Sequence, residues 1–499
     1  MISPVMESFA FTSGQSASIV IGQSTFTTNT AGASATALAN PFGISFDSTG
    51  NLWLADNANT RVLMFPKGAG FTNGEAATIV IGQGSFTTNT IGTTETTLSS
   101  PKGISFDSAG NLWVTDSLNN RVLMFPKGTG FTNGEAATIV IGQSTFTTAA
   151  SGVSATAIFR PQGIAIDSSG NLWVADSSNH RVLMFPKGTG FTNGEAATIV
   201  IGQSTFTTNV GGTTTTTFFV PSALAFDSSG NLWVADQNNN RVVMFPPSSQ
   251  VTGGAATIVI GQSTFTTSTA GTSATAISHP QGIAIDSSGN LWVIDFNNRV
   301  LMFPKGSGFT NGEAATTVIG QSTFTTSTSG TSATALNPSS PAFDSAGNLW
   351  IADFGNNRAL MFAATISQVT GQLTVIAGSC GINVVSGAPI NYGSLTPGSI
   401  STEQTVVLQN TGTVAGTLAV HGTDWLDGSS TSQILAGNTK FSTGTGTYAS
   451  KTALTTSDQT VGTINPTPNL STFWQVQVNL ISSSFSGSLT QTTTFSNSC

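Results

Sequence analysis

The chain has 499 residues, only 7% of them charged, and a formal net charge of −8. This acidic balance disfavours a nucleic-acid partner, because phosphate binding requires clustered lysine and arginine side chains. No apolar run approaches the roughly 18 residues that a membrane span requires. The length leaves room for more than one domain with a large buried core.

The chain starts with an expected irregular lead-in, residues 1–16. This stretch lacks the basic start and the apolar core of a signal peptide, so a leader has been removed or none exists. Residues 17–23 form a predicted Ile-Val-Ile strand. Copies of this strand return at 77–83, 137–143, 197–203, 256–262 and 315–321.

The central repeat is a Trp-centred segment, of which residues 43–65 are the first copy. Successive tryptophans are separated by 60, 60, 60, 59 and 58 residues, and such a fixed period indicates a repeat architecture. Each copy supplies three predicted strands, at 43–47, 52–56 and 61–65 in the first, with a Gly-Asn hairpin turn after the first strand. The six tryptophans, expected in the core, are Trp53, Trp113, Trp173, Trp233, Trp292 and Trp350.

Each unit is thus a predicted four-stranded antiparallel sheet with apolar side chains on both faces. In the second strand Leu52 and Leu54 point to one face, whereas Trp53 and Ala55 point to the other. Stacking the sheets around an axis covers both faces, and closing the ring covers the two ends. The sequence therefore predicts an all-β fold with a six-bladed β-propeller at residues 17–366.

The strand at 17–23 precedes the first Trp-centred copy, yet it is needed to make six Ile-Val-Ile strands. We expect it to be the outer strand of the last blade, closing the ring within one molecule. Two alternatives stay open. The strand pairs with a neighbouring molecule, or residues 372–377 take the outer position instead.

The period stops after a linker at 367–379. Short strands separated by turns then predict an immunoglobulin-like β-sandwich at 380–499. Cys380 and Cys499 bracket this domain, which suggests a disulfide and an oxidising, extracellular or cell-surface location. Two buried free thiols are the alternative.

The repeat also resembles a known family. Residues 161–185 carry a Pro-x-Gly-Ile start, an Asp-x-x-Gly-Asn turn and an Ala-Asp-x-x-Asn-x-Arg-Val end. This pattern closely resembles the NHL repeat, and the loops resemble those of secreted microbial NHL proteins. The fifth copy shortens its turn to residues 295–299, and the sixth starts with Pro-Ser-Ser-Pro at 338–341. The C-terminal domain is similar, more weakly, to the sandwich domains of prokaryotic surface proteins.

The resemblance implies several different functions. NHL propellers include a peptidyl-amidating lyase, RNA-binding modules and extracellular sensor or adhesion domains, and the fold does not choose among them. The lyase chemistry relies on histidine-bound zinc, but the three histidines here, His180, His279 and His421, fall at unrelated positions. The copies are also nearly interchangeable, whereas catalysis needs an asymmetric site. We therefore expect no catalytic residue, no metal and no cofactor.

Each copy ends its second strand with Asp and starts its third with Arg. These residues are interpreted as structural pairs, in which Asp caps the turn and binds Arg; a ring for anionic ligands is the alternative. The Asp-Ser-Thr-Gly-Asn turns lack the alternating acids of a calcium loop and are expected to be tight turns. The pairs are Asp56/Arg61, Asp116/Arg121, Asp176/Arg181, Asp236/Arg241, Asp295/Arg299 and Asp353/Arg358.

The Ser/Thr-rich loops each carry one phenylalanine. We expect this ring to pack over the sheet edge, while O-linked sugar or an adhesive face is the alternative. Asn469 is the candidate for N-glycosylation. The six rings belong to Phe26, Phe86, Phe146, Phe206, Phe265 and Phe324.

The sequence as a whole indicates a non-catalytic extracellular scaffold. A surface-layer, filament or adhesion component would use the propeller disc for protein–protein contacts, including contacts with copies of itself, and glycans are further candidate partners. A carbohydrate- or peptide-binding sensor is the alternative, and a lyase- or lactonase-like enzyme is the third class.

Overall fold

The computed structural model describes residues 9–366 and, beyond them, only the strands given below, with side chains for residues 11–364. The chain divides into two compact units. The first comprises Thr12–Asp344 and Asn348–Phe362, and the second includes the C-terminal strands. No helix in the described part of the chain is long and apolar enough to cross a membrane.

The first unit consists of six four-stranded antiparallel sheets, which confirms the predicted six blades. Strands are named a to d within each blade, and strands a of neighbouring blades contact one another around the axis. Strands a are Pro41–Phe46, Pro101–Phe106, Ile164–Ile166, Pro221–Phe226, Gly282–Ile285 and Ser340–Phe343. Strands b are Leu52–Asp56, Leu112–Asp116, Leu172–Asp176, Leu232–Asp236, Leu291–Asp295 and Leu349–Asp353.

Strands c and d form the outer half of each blade. Strands c are Arg61–Phe65, Arg121–Phe125, Arg181–Phe185, Arg241–Phe245, Arg299–Phe303 and Arg358–Phe362. Strands d are Ile79–Ile81, Ile139–Ile141, Ile199–Ile201, Ile258–Ile260, Thr317–Ile319 and Ile19–Ile21. Short 3₁₀ helices lie between strands b and c at Asn57–Asn59, Ser117–Asn119, Ser177–Asn179, Gln237–Asn239 and Phe354–Asn356, and another occurs at Pro247–Ser249.

The N-terminal strand closes the ring within the molecule. Ile19–Ile21 is the outer strand of the sixth blade, where Ile19 lies opposite Met361 and Val20 opposite Leu360. The strand Val369–Val375 pairs instead with Leu489–Ser498 and Ile390–Asn391. The first interpretation of the strand at 17–23 is thus confirmed.

The core lies between neighbouring blades rather than within one sheet. Trp53 of the first blade is fully buried against Ile104, Leu112 and Leu123 of the second. Trp350 of the sixth blade packs in the same way against the first blade. Burial of each tryptophan contributes roughly 4–6 kcal/mol as an upper estimate. All six tryptophans are at most 2% exposed.

The second unit contains a short strand pair and two sheets. Phe9–Ala10 pairs with Thr365–Ile366. One sheet orders Ile390–Asn391, Val369–Val375, Leu489–Ser498, Gly416–Gly422 and Gln459–Ile464, with Trp425–Leu426 and Ser432–Ile434 beside it. The other orders Ile382–Ser386, Gln404–Asn410, Leu470–Val476, Thr439–Ser442 and Thr452–Ala453.

Candidate functional site

The inner strands approach one another closely around the propeller axis. A Cβ atom on Gly103 would collide with the backbone oxygen of Gln162 in the next blade, and one on Gly43 would collide with the backbone oxygen of Lys102. The N–H of Gly103 donates a hydrogen bond of 3.0 Å to the same Gln162 oxygen. At Gly43 and Gly103, backbone contact between blades therefore leaves no room for a side chain.

A cavity of about 100 Å³ lies on the axis, lined by residues of all six inner strands. The residues that line it include no Asp, Glu, His or Cys. The hydroxyl of Ser222 already has a hydrogen-bond partner, because its Oγ donates to the backbone oxygen of Pro280 over 2.8 Å. The side-chain amides of Gln162 and Gln281 have no hydrogen-bond partner among the residues that the structure describes.

Departures from the repeat gather at one end of this channel. They flank the proline at or just before the start of strand a, and the sixth copy lacks the residue before this proline. Because each strand a starts at the same end, these side chains form one ring, which we call the channel mouth. Its residues are Asn40, Ser100, Arg160, Val220 and His279 before the proline, and Phe42, Lys102, Gln162, Ser222, Gln281 and Ser339 after it.

Aromatic and cationic groups meet along one side of the channel mouth. Lys102 Nζ lies 4.9 Å from the centroid of the Phe42 ring, which is within cation–π range. The Phe42 and Phe354 rings lie nearly perpendicular to each other, at a centroid distance of 6.1 Å. Burial, together with the nearby positive charge of Arg160, lowers the pKa of Lys102 to about 8. The ion pairs of residues 11–364 include neither Lys102 nor Arg160.

The two histidines of the propeller make structural contacts. His180 Nδ1 accepts a 3.1 Å hydrogen bond from the N–H of Val220 in the next blade. At the equivalent positions of two other blades, Asn120 Oδ1 accepts a hydrogen bond from the backbone N–H of Arg160, and Asn240 Oδ1 accepts one from that of His279. Burial lowers the pKa of His180, which favours the neutral acceptor. Within residues 11–364, no three His, Cys, Asp or Glu side chains lie close enough to hold a metal ion.

The structure brings every predicted Asp–Arg pair together. Arg61 Nε donates to Asp56 over 2.7 Å, and both side chains are 0% exposed. Arg61 Nη2 also donates to the backbone oxygens of Ser34 and Ala37, and Nη1 donates to that of Phe86. A single arginine thus ties its turn to both adjoining Ser/Thr loops. The other five pairs have N–O distances between 2.7 and 3.0 Å.

The acids of these pairs accept several hydrogen bonds in the interior. Asp116 accepts from the N–H of Ser99 over 2.6 Å and from Asn119 over 2.8 Å, besides Arg121. Burial raises the pKa of this carboxyl to about 6, against the opposing effect of the arginine. At neutral pH the pair is therefore ionised. Burial raises the pKa of Asp176 and Asp236 to the same value.

The other repeated acid, predicted only as part of a tight turn, has a second role. Asp47 Oδ2 accepts hydrogen bonds from the indole N–H of Trp53 over 3.0 Å and from Asn51 over 2.9 Å. Burial raises the pKa of Asp47, but hydrogen bonds from Thr49, Trp53 and Asn51 outweigh it and hold the pKa below its usual value. The turn acid thus accepts the hydrogen bond of the buried indole N–H. This role was not predicted from the sequence.

The loop phenylalanines pack as predicted where their contacts are described. Phe86, Phe146, Phe206, Phe265 and Phe324 are partly buried against the hydrophobic clusters between blades. A second phenylalanine, in the loop between strands c and d, was not predicted to matter. Phe131 meets Trp53 of the preceding blade at a centroid distance of 4.8 Å. The Gly-Phe-Thr-Asn-Gly loop thereby holds two blades together.

The two faces of the disc differ in charge. The loop face carries the loops between strand d and the next strand a, such as 24–40, and the turns between strands b and c. The turn face carries the other connections. Outside the six buried pairs, the loop face has Glu95, Lys102 and Arg160, a formal charge of +1. The turn face of residues 11–364 has ten acids and four lysines, a formal charge of −6.

Exposed apolar side chains follow the same division. Six large apolar residues of the described propeller are exposed, and five of them lie on the loop face. Val251, which is 51% exposed, is the exception on the turn face. The five are Ile91, Leu118, Val210, Phe219 and Phe296.

Several predicted sites lie outside the described residues. These are Cys380 and Cys499 of the expected disulfide and the sequon residue Asn469. His421 lies on the strand Gly416–Gly422, whose side chains are not described. These expectations stay predictions.

Comparison with known proteins identifies the repeat and the fold. Residues 160–185 and 220–245 match the NHL repeat family. No curated protein matches the chain. The chain therefore carries NHL repeats within a six-bladed β-propeller.

Solved structures share this fold at low sequence identity. Virginiamycin B lyase from Staphylococcus aureus is 15% identical, with 64% of this chain and 80% of that chain covered and a TM-score of 0.38. A Bacteroides thetaiotaomicron protein of unknown function is 17% identical, with 70% and 76% covered and a TM-score of 0.45. An auxiliary nutrient binding protein from the same organism is 13% identical, with 66% and 69% covered and a TM-score of 0.42. These likenesses concern the fold alone.

Proposed function

We propose that the chain is a non-catalytic extracellular scaffold that associates with copies of itself through the loop face of the propeller. In this proposal the C-terminal sheets form an immunoglobulin-like sandwich that serves as a tether or second assembly contact. Such a protein would be a component of a surface layer, a filament or an adhesive structure. Cys380 and Cys499 support the extracellular location, because paired cysteines suit an oxidising compartment.

The uneven surface of the disc carries this proposal. Apolar side chains exposed on one face of a protein are candidates for contact sites. On this propeller, Leu118 is 51% exposed, Phe296 53% and Val210 71%, all on the loop face. That face has a formal charge of +1, so two copies meet there with little repulsion. The turn face, at −6, would repel its own copy.

The composition of the axial cavity supports a non-catalytic role. Propeller neighbours include a lyase, but general acid–base chemistry requires a positioned titratable group. The walls of the cavity consist of backbone, Ser, Gln and apolar side chains. Both histidines of the propeller already form hydrogen bonds, His180 with the Val220 N–H and His279 Nδ1 with Ser278 Oγ at 3.2 Å.

Sedimentation velocity of the full chain over a range of concentrations tests the self-association. We expect a concentration-dependent oligomer in the wild type and a monomer in the triple variant Leu118→Asp, Val210→Asp, Phe296→Asp. Val251→Asp is the matched control, because Val251 is as exposed as Leu118 but lies on the turn face. This control should associate like the wild type. A wild-type chain that stays monomeric at high concentration would overturn the proposal.

A further inference from the structure

We infer that the channel mouth binds a small organic carboxylate, with its charge held by Lys102 and Arg160 and its apolar part placed against the ring of Phe42. Nothing in the NHL repeat itself supplies this site. Its aromatic and cationic residues, Phe42, Lys102 and Arg160, each occur in only one of the six copies. The inference does not depend on self-association of the chain.

Two cations at the channel mouth have no counter-charge among residues 11–364. Lys102 is only partly exposed, and the positive charge of Arg160 acts on it. No carboxylate of residues 11–364 forms an ion pair with either side chain. Arg160 itself is exposed, so the desolvation falls on Lys102. A bound anion relieves the repulsion between the two like charges. All other arginines of residues 11–364 are paired with an aspartate, so Arg160 is the exception among them.

The axial cavity also offers hydrogen-bond donors. The amide groups of Gln162 and Gln281 line the axial cavity and have no partner among the described residues. Gln162 follows Arg160 by two residues along the chain, at the entry to strand a of the third blade. Ligand sites are typically apolar concavities with a few convergent polar groups, and the channel mouth has this composition.

The Phe42 ring would contact the apolar part of the ligand. Phe42 lines the cavity, carries Lys102 Nζ at 4.9 Å from its ring centroid and is supported by Phe354 from the sixth blade. A carboxylate bound to Lys102 therefore places its attached carbons beside an aromatic face. An inorganic anion would leave this face unused. The geometry thus favours an organic acid over phosphate or sulfate.

Isothermal titration calorimetry of the full chain with benzoate is the test. We expect saturable binding of benzoate and at least about tenfold weaker binding in Lys102→Gln and Arg160→Gln. Lys127→Gln is the matched control, because Lys127 lies on the turn face and should leave the affinity unchanged. Circular dichroism spectra of all variants should match that of the wild type.

Two further ligands separate the parts of the inference. Benzamide has the shape of benzoate without its charge, so we expect no measurable binding. Inorganic phosphate should bind at least about tenfold more weakly than benzoate, because it does not use the Phe42 ring. Absence of benzoate binding, equal binding of benzamide, or equal binding of phosphate would each overturn the assignment. Sedimentation, which tests the self-association, is a separate readout, so either proposal can fail alone.

Discussion

Arg121 shows how charged side chains serve as core residues in this propeller. Its Nε binds Asp116 over 2.7 Å, and its Nη2 binds the backbone oxygens of Thr94 and Thr97. Both side chains of the pair are 0% exposed. Taking two charges out of water is costly, so such a pair contributes less to net stability than to the fixed geometry of its loops. The loss of one partner leaves the other buried and uncompensated.

We predict that Asp116→Asn lowers the free energy of unfolding by about 3–5 kcal/mol, because Arg121 stays buried without its counter-charge. Urea unfolding followed by tryptophan fluorescence measures the change. Glu95→Gln, which alters an exposed acid on the same face, should leave the stability within about 0.5 kcal/mol of the wild type. A loss below about 1 kcal/mol in Asp116→Asn would contradict the structural role of the pair.

His180 provides a pH-dependent case at the same scale. Its folded pKa lies below the unfolded value of about 6.5, so the unfolded state binds more protons and stability falls on acidification through that range. Asparagine occupies the equivalent positions in three other blades and makes the same bond without titrating. We therefore predict that His180→Asn matches the wild type at pH 7.5 and is more stable than it at pH 5.

Urea unfolding at the two pH values measures this difference. His180→Ala is the comparison, because it removes the acceptor for the Val220 N–H and should cost about 1 kcal/mol at pH 7.5. If His180→Asn were as destabilising as His180→Ala, the histidine would have a role that asparagine cannot fill.

At the scale of the element, strand a explains the Pro-x-Gly start of the repeat. Gly103 lies against the backbone of the next blade, where a side chain has no room. The fourth blade has Ala223 at this position, so the chain contains its own natural variant. The register of that blade shifts between Pro221 and Ala223.

We predict that Gly103→Ala lowers the free energy of unfolding by about 1–3 kcal/mol, because the new Cβ atom forces two backbones apart. Ala223→Gly is the matched control and should cost less than about 1 kcal/mol, the backbone entropy of glycine. Thermal unfolding of the two variants under the same conditions provides the comparison. Equal effects would show that the blades have room for a side chain here.

The elements were predictable from sequence to different degrees. The blades followed from the spacing of Trp53 and its copies, because a core side chain recurs wherever the same sheet recurs. The contact between Trp53 and Phe131 was not predicted, because the two residues lie 78 positions apart in the sequence and on different blades. The channel mouth was not predicted either. Lys102 and Arg160 lie 58 residues apart, and only the circular arrangement makes them neighbours.

At the scale of the whole molecule, ring closure depends on one short strand. Ile19–Ile21 completes the sixth blade and thereby gives that blade its outer edge. An open ring would expose the apolar face of the first blade and the unpaired edge of the sixth, and both favour aggregation. The stability of every blade is therefore linked to three residues near the N-terminus.

A disulfide between the paired positions tests closure within one molecule. Ile19 and Met361 are register partners, and Cα atoms of such partners lie at a distance that a disulfide spans. We predict that the double variant Ile19→Cys, Met361→Cys oxidises to a monomer with one added intramolecular bond. Non-reducing gel electrophoresis and peptide mass mapping distinguish this product from a linked dimer. A dimer as the main product would contradict the closure.

The position of the closing strand also orders events during synthesis. Residues 19–21 are made early, but their partners at 359–361 are made more than 300 residues later. In the interval, the N-terminal strand can pair with strand Arg61–Phe65 of the first blade. This strand has the sequence Arg-Val-Leu-Met-Phe, as do strands c of the second, third and fifth blades. The early strand can therefore dock on the wrong blade until Ile79–Ile81 arrives and displaces it. During translation, each newly made strand d would displace the N-terminal strand from its blade. Only the sixth blade has no strand d of its own, so the N-terminal strand stays there.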